Sequence, residues 1–264
     1  MSILTVAGIQ FDIAWEAPEE NFRRAEPWMR RGAAAGGRLV VLPEMFATGF
    51  SMNAREICRH APAVRDFLSR MAAELGVWVA GGYAEPGDTD EDRPRNACSI
   101  FDPDGEERLH YQKIHPFSLA GEHEHYAGGE TLPTVEIEGV RTTCLICYDL
   151  RFPEPFRIAA DATDLYLVIA NWPEVRSAAW STLLRARAIE NQAYVFGVNR
   201  VGDAEGTPHN GRSALFDPLG HPLIAAEHQE AVLVGTVDSQ RVVRNRERFS
   251  FLADRRPGTY QDLP

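Results

Sequence analysis

The chain has 264 residues, of which 44% are hydrophobic and 25% are charged, the composition of a folded globular protein. Its formal net charge is −11, so it repels phosphate backbones and anionic membrane surfaces, and we expect neither nucleic acid nor a membrane as a partner. No apolar run approaches the ~18 residues that span a bilayer, and four cysteines are too few for a disulfide framework, which favours a cytoplasmic location.

Short apolar runs rich in β-branched residues alternate with helical stretches along the whole chain. The first run, residues 4–11, follows no positively charged segment, so it predicts a buried strand and not a signal peptide. Runs of the same kind predict further strands at residues 38–44, 77–83, 97–103, 141–147, 164–171, 193–201, 212–218 and 231–238. Helical stretches that begin near a proline lie at 18–37, 61–76 and 173–193. Strands alternating with helices predict an α/β protein.

A faint internal repeat predicts how these elements are layered. The sequence SIFDPDG at residues 99–105 recurs as ALFDPLG at 214–220, and a helix followed by a strand precedes both copies. Two similar halves can pack sheet against sheet with helices outside, which predicts a four-layer α-β-β-α sandwich and a single domain over residues 1–264. A chance match of seven residues is the alternative.

A cysteine at the end of a predicted strand is the first candidate for chemistry. Residues 141–147 form an apolar strand that runs into YDLRFPE, where Pro153 can occupy the first turn of a helix. Such a corner exposes the Cys147 sulfur beside backbone N–H groups, which suits a nucleophile that has a base or a cation nearby. A redox or zinc pair with Cys144 is the rival, but residues three apart in a strand face opposite ways. Two inert core cysteines are the other alternative.

Two further residues carry candidate charges for such a nucleophile. Glu44 follows the strand at 38–44, at the end of the sheet where ligands collect, and burial can raise its pKa to that of a general base. A solvated turn residue is the alternative. Lys113 is the only lysine among 27 lysines and arginines, which indicates a position where a compact ammonium is needed and a planar guanidinium would not fit. A lysine retained by chance is the alternative.

The segment after Lys113 contains a possible metal-binding motif. His123 and His125 lie on either side of Glu124. In a strand these two histidines would point to the same side and could hold a metal. Neighbouring Gly and Ala residues indicate a loop instead, and no remote motif completes a ligand set. We therefore expect no metal and a polar loop beside the active site.

Taken together, Glu44, Lys113 and Cys147 resemble the Glu-Lys-Cys triad of the nitrilase superfamily of carbon-nitrogen hydrolases. The segments VVLPEMFATGF, YQKIHPF and CLICYDLRFPE resemble the three triad segments, in the family's order. The stretches EHEHYAGG, ANWP and ARAIENQAYVFGVNRVG are similar to the omega-amidase branch, which hydrolyses the terminal amide of 2-oxo-dicarboxylic acid monoamides such as 2-oxoglutaramate.

The resemblance implies the same α-β-β-α sandwich, no organic cofactor and no metal. It also implies a homodimer in which a C-terminal arm, residues 239–264 here, reaches over the partner. The family places a second glutamate near the triad, for which spacing favours Glu122, with Glu124 as the alternative. Other superfamily activities, namely aliphatic amidase, N-carbamoyl amino acid hydrolase and nitrilase, share the triad and remain alternatives, as does a non-catalytic binding protein on the same fold.

These resemblances lead to a hypothesis for the reaction on a small-molecule amide. Cys147 attacks the amide carbon, while Glu44 takes the thiol proton or stabilises the thiolate form. Lys113 and the backbone N–H of Tyr148 stabilise the oxyanion. Glu122 holds Lys113 in place. Arg176 is a candidate to bind a carboxylate at the far end of the substrate. Its alternative role is an ion pair with Glu174 or with a surface carboxylate. We expect Phe117 and Trp172 to form the walls of the pocket.

Overall fold

Two mixed β-sheets pack face to face in the computed structural model, which describes residues 2–89 and 91–261 of the chain. The strands are β1 (Ile3–Gln10), β2 (Leu39–Val41), β3 (Trp78–Glu85), β4 (Arg95–Phe101), β5 (Glu107–Gln112), β6 (Thr134–Ile137), β7 (Val140–Ile146), β8 (Leu165–Ala170), β9 (Tyr194–Asn199), β10 (Val201–Ala204), β11 (Thr207–Phe216), β12 (Pro222–Glu227) and β13 (Ala231–Asp238). The helices are α1 (Pro18–Ala34), α2 (Ala54–Ile57), α3 (Ala61–Leu75), α4 (Glu122–His125), α5 (Pro153–Ala159), α6 (Ser177–Asn191), α7 (Ser239–Arg248) and α8 (Pro257–Gln261).

The two sheets have matching strand orders. The first runs β13-β1-β2-β3-β4-β5, and the second runs β6-β7-β8-β9-β11, with β10 and β12 both paired to β11. In each sheet three parallel strands, β1-β2-β3 or β7-β8-β9, are flanked by antiparallel neighbours. Since α1 and α3 cover the first sheet and α6 covers the second, the layers are helix, sheet, sheet and helix, as expected.

The sequence repeat corresponds to two turns with the same hydrogen-bond pattern, one in each half of the chain. Asp102 follows β4 and accepts hydrogen bonds from the backbone N–H groups of Asp104 and Glu106, both at 3.0 Å. In the second half Asp217 follows β11 and accepts from the N–H groups of Leu219 and His221, both at 2.9 Å. Each turn comes after a helix, a strand and an antiparallel return strand, so the repeated letters mark equivalent places in the two halves.

The core between the sheets is apolar and fully buried, which explains why so many strands lack polar alternation. Side chains from both sheets form one cluster that includes Val6, Ile100, Cys144, Leu167 and Phe196. A second cluster lies between the first sheet and helices α1 and α3. Within the described residues, no helix is long and apolar enough to cross a membrane.

The sequence analysis did not predict strands β5, β6, β10 and β12, the short helix α2 or the two C-terminal helices, α7 and α8. Strands β5, β6, β10 and β12 are partly exposed, so their patterns mix polar and apolar residues and resemble those of loops. The segment around His123 was expected to be a loop, but residues 122–125 form a single helical turn.

The expected C-terminal arm begins as helix α7 and packs on its own chain. Arg246 of α7 donates to the carbonyl oxygens of Thr163 and Asn191, at 2.8 and 3.1 Å. Residues 262–264 of the expected arm lie outside the described residues. The single domain, the arm's reach over a second copy and the homodimer stay predictions.

Candidate active site

The Cys147 corner lies where β7 ends and a short 3-10 turn, Cys147–Arg151, begins. Cys147 has a φ of +47°, a left-handed conformation that is uncommon for a residue with a side chain and that other contacts must hold in place. The buried carboxylate of Asp149 supplies them, because it accepts from the N–H of Ile146 at 3.0 Å and from the hydroxyl of Tyr111 at 2.7 Å. From the other side, Arg187 of α6 donates to the carbonyl oxygen of Leu150 at 2.8 Å.

Asp149 also ties this corner to the loop that carries Lys113. Its second oxygen accepts from the backbone N–H of His115 at 3.0 Å and lies 2.8 Å from the ring nitrogen Nδ1 of the same residue. His115 in turn stacks on Phe152, with ring centroids 3.8 Å apart. A single carboxylate therefore fixes the cysteine and lysine segments relative to each other.

Lys113 is completely buried between two carboxylates. Its Nζ lies 3.0 Å from Oε1 of Glu44 and 2.8 Å from Oε2 of Glu122, and both glutamates are also completely buried. The side-chain amide of Asn96 donates to both carboxylates, at 2.7 Å to Glu44 and 2.9 Å to Glu122. The backbone N–H of Phe117 also donates to Glu122. Glu124, the alternative to Glu122, is exposed on α4.

Glu44 joins the two halves of the molecule. Its Oε2 accepts from the backbone N–H of Asn171 at 2.7 Å, and its backbone carbonyl accepts from the side-chain amide of the same residue. Asn171 follows β8 of the second sheet, whereas Glu44 follows β2 of the first, so this contact closes the seam between the sheets. Asn171 belongs to the ANWP stretch, whereas Asn96 carried no sequence signal.

Burial and charge set the protonation of the cluster. Burial alone lowers the pKa of Lys113, but the carboxylates of Glu122 and Glu44 outweigh it and raise that pKa, so the side chain is an ammonium. Burial raises the pKa of Glu122, opposed mainly by Lys113. Burial and the Glu44 charge raise the pKa of the Cys147 thiol well above its ordinary value, and Lys113 only partly opposes them. This raised pKa favours the thiol form of Cys147, so an attack by its sulfur would need a base.

A cavity of about 280 Å³ opens onto Cys147, and all four expected substrate-binding residues line it. Those four are Tyr148, Phe117, Trp172 and Arg176. The ring centroids of Phe117 and Tyr148 are 4.6 Å apart, and the guanidinium of Arg176 lies 5.2 Å from the Phe117 ring centroid. Among the described residues, Arg176 forms no ion pair with Glu174.

The sequence missed several other residues that line the cavity, among them Trp15, Phe50, Arg151, Glu205 and His209. Burial and the nearby Arg200 lower the pKa of His209 to about 4, so this imidazole is neutral at physiological pH. Its Nδ1 lies 2.8 Å from the carbonyl oxygen of Thr207, which fixes the ring against the hairpin of β10 and β11. No sequence motif marks this hairpin as part of the site.

The other cysteines and histidines lie outside this cluster. Cys144 faces the space between the sheets, where its sulfur is 3.2 Å from that of Cys98, so it does not form a pair with Cys147. His123 and His125 are exposed. Within residues 2–89 and 91–261, no group of three or more His, Cys, Asp or Glu side chains is arranged to hold a metal ion.

Comparison with known proteins places this geometry in a family. The carbon-nitrogen hydrolase family profile matches residues 5–247. The chain belongs to the carbon-nitrogen hydrolase family. This carbon-nitrogen hydrolase is 39% identical over 256 residues to omega-amidase YafV of Yersinia enterocolitica, covering 96% of this chain and 97% of the relative. It is 32% identical over 260 residues to 2-oxoglutaramate amidase of Bacillus subtilis, covering 97% and 99% of the two chains.

A solved structure agrees with the family assignment. A CN-hydrolase superfamily protein of Xanthomonas campestris, whose crystal structure carries an arsenic adduct in its active site, superposes with a TM-score of 0.89 at 34% identity. The alignment covers 97% of this chain and 98% of the other. The four-layer sandwich expected for this carbon-nitrogen hydrolase is thereby confirmed.

We predict that Glu44→Gln lowers the pKa of the Cys147 thiol, because the substitution removes the negative charge that opposes thiolate formation while Lys113 keeps its positive charge. The measurement is the ultraviolet absorbance of the thiolate against pH. The same titration of a Glu44→Gln, Cys147→Ser double variant is subtracted to remove the other three cysteines. A thiol pKa that stays the same or rises in Glu44→Gln would contradict this electrostatic description.

Proposed function

We propose that this enzyme releases ammonia from the terminal amide of a small 2-oxo-dicarboxylic acid monoamide of the 2-oxoglutaramate type. The observation that carries the proposal is the ammonium of Lys113, held between two buried carboxylates beside a cysteine at a strand-to-helix corner. Relatives named as omega-amidase and 2-oxoglutaramate amidase, similar over almost the whole chain, support the choice of substrate.

In the first half of the reaction the substrate acylates the enzyme. As the Cys147 sulfur bonds to the amide carbon, Glu44 takes the thiol proton, which the raised pKa of the thiol makes necessary. The carbonyl oxygen becomes an oxyanion that Lys113 and the backbone N–H of Tyr148 stabilise. Glu44 then gives its proton to the amide nitrogen, the carbon-nitrogen bond breaks, and ammonia leaves an acyl-thioester on the enzyme.

Water completes the reaction with the same groups. Glu44 takes a proton from a water molecule. The water oxygen attacks the thioester carbon and forms a second oxyanion beside Lys113. The carbon-sulfur bond breaks, the acid is released and the sulfur regains its proton from Glu44. Throughout the cycle Glu122, which accepts two hydrogen bonds from Lys113 at 3.1 and 2.8 Å, acts as a positioning residue that keeps the ammonium aimed at the oxyanion.

The cavity supports a small acidic substrate. Its volume of about 280 Å³ suits a molecule of a few carbon atoms. Arg176 supplies a positive charge within this acidic protein, where a free carboxylate would otherwise be repelled. Phe117, which lies beneath that guanidinium, and Trp172 provide apolar walls for the carbon chain.

A substrate panel tests the choice of substrate. We expect kcat/KM for ammonia release from 2-oxoglutaramate to exceed that for aliphatic amides, N-carbamoyl amino acids and nitriles by about tenfold or more, the effect of one charge-assisted hydrogen bond. The Cys147→Ala variant should be inactive on all of them. Equal rates on neutral amides would refute the substrate assignment, and full activity of Cys147→Ala would refute the nucleophile.

The Lys113→Arg variant tests the role given to the ammonium. The site is closed by Glu44, Glu122 and the Phe50 ring, whose centroid lies 5.1 Å from Nζ, so a planar guanidinium cannot occupy the same place. We expect kcat to fall by about 100- to 1,000-fold, the usual effect of losing an oxyanion donor. The matched control is Arg185→Lys on the exposed side of α6, which should leave kcat unchanged. A nearly normal kcat in Lys113→Arg would refute this role.

A further inference from the structure

Asn96 is a buried asparagine of β4 whose side-chain amide faces both carboxylates of the site. Its Nδ2 donates to Oε1 of Glu44 at 2.7 Å and to Oε1 of Glu122 at 2.9 Å. Its own oxygen, Oδ1, is buried and accepts no hydrogen bond from the described residues. An amide turned the other way would bring an acceptor against two carboxylates, so both N–H groups of Asn96 must point at the glutamates.

The hydrogen-bond donors are distributed unevenly over the four carboxylate oxygens. An ionised carboxylate oxygen has two lone pairs and accepts two hydrogen bonds. Oε1 of Glu44 accepts from Asn96 and from Lys113, and Oε1 of Glu122 accepts from the same two donors. Oε2 of Glu122 accepts from Lys113 and from the backbone N–H of Phe117. Each of these three oxygens therefore has two donors.

The fourth oxygen, Oε2 of Glu44, has a free lone pair. From the described part of the chain it accepts the backbone N–H of Asn171, at 2.7 Å, and no second backbone or ammonium donor. After burial, the charge of Glu44 is the largest cause that raises the pKa of the Cys147 thiol, so this carboxylate acts directly on the sulfur. Oε2 is thus the oxygen of Glu44 that can accept the thiol proton without giving up a donor.

The amide of Asn96 supplies its two hydrogen bonds without adding a charge. A lysine or arginine at this position would add a second cation beside Lys113, an aspartate would add a third carboxylate, and a serine has only one hydrogen to donate. Without the Asn96 amide, Oε1 of Glu44 would keep one donor, as Oε2 does. The two oxygens of Glu44 would then no longer differ as proton acceptors.

We propose that Asn96 is a positioning residue for proton transfer, because it occupies Oε1 of Glu44 and leaves Oε2 to exchange protons with Cys147 and the substrate. This inference rests on the proposed function and extends it to a single oxygen atom. The thiol proton passes to Oε2 as the sulfur-carbon bond forms, and it passes from Oε2 to the amide nitrogen as the carbon-nitrogen bond breaks. Asn96 is not one of the described residues that line the cavity, so it acts through the glutamates and not on the substrate.

The Asn96→Leu variant, which keeps the approximate size of the side chain and removes both N–H groups, tests this inference. The substrates are glutaramate and mono-4-nitrophenyl glutarate, an amide and an activated ester of the same acyl group. We expect kcat/KM for the amide to fall by about 100-fold, through kcat and with KM within about twofold, as for a weakened general acid and base. For the ester we expect a loss of less than about tenfold, because nitrophenolate leaves without a proton from Glu44.

Asn21→Leu is the matched control for the loss of a buried asparagine. Asn21 is completely buried and donates to the carbonyl oxygens of Ala14 and Ala47, both at 2.7 Å, but it contacts neither glutamate. This variant should lower the thermal midpoint and change kcat/KM for the amide and the ester by the same factor. The Cys147→Ala variant supplies the background rate of ester hydrolysis.

Two further measurements separate positioning from damage to the fold. Asn96→Ser, a smaller change that keeps one donor, should lose amide activity selectively and by less than Asn96→Leu, and it replaces that variant if the leucine prevents folding. In a Cys147→Ala background, the Kd for glutarate from calorimetry should stay within about twofold when Asn96→Leu or Asn96→Ser is added, since the cavity wall is unchanged.

The possible failures are distinguishable. If the wild-type enzyme releases no ammonia from 2-oxoglutaramate, the proposed function is wrong. If it does so and the Asn96 variants keep kcat for glutaramate within about twofold, the function stands and the role of Asn96 is refuted. A parallel loss on amide and ester, as expected for Asn21→Leu, would also refute it, because a structural defect affects both substrates alike.

Discussion

One ammonium buried between two carboxylates is the interaction on which the rest of this site depends. Lys113 has no exposed surface, and neither has Glu44 or Glu122, so none of the three can exchange its partner for water. Removing one partner from such a buried group typically costs about 3–5 kcal/mol, because the remaining charge is left uncompensated. Burial and the charge of Glu44 raise the pKa of the Cys147 thiol beside this cluster, and Lys113 only partly opposes them, so an attack by this sulfur would need a base.

The fold supplies this cluster from two similar halves. Glu44 follows a strand of the first sheet and Cys147 a strand of the second, and both lie at the carboxyl ends of parallel strands, where ligand sites form in α/β proteins. Asn171 joins the halves by holding Glu44, and Asp149 joins the cysteine corner to the lysine loop. Buried polar groups thus hold Glu44, Lys113 and Cys147 relative to one another, and the cavity opens beyond the Cys147 sulfur.

The sequence was sufficient to predict the features that depend on residues close together in the chain. Strands buried on both faces, helices that begin at proline, and the repeated aspartate turn were all recognisable, and so was the single lysine that marks the centre of the site. Contacts between distant segments were not recognisable. Asn96, Arg151 and His209 owe their roles to neighbours brought together by folding, and a polar strand residue or one arginine among 26 carries no local signal. The partly exposed strands β5, β6, β10 and β12 were missed because edge positions mix polar and apolar residues.

The central claim is that hydrolysis passes through an acyl-thioester on Cys147, with water as the second nucleophile. The most direct measurement is product analysis with hydroxylamine present, since hydroxylamine intercepts a thioester in competition with water. The substrate for this measurement is a simple aliphatic amide, because hydroxylamine would convert the 2-oxo group of 2-oxoglutaramate to an oxime. We expect a hydroxamate to form beside the acid, in a ratio that grows with hydroxylamine concentration, and neither product to form with Cys147→Ala. If the acid remained the sole product while ammonia was released at its normal rate, the reaction would have no acyl-enzyme to intercept, and the account would be contradicted.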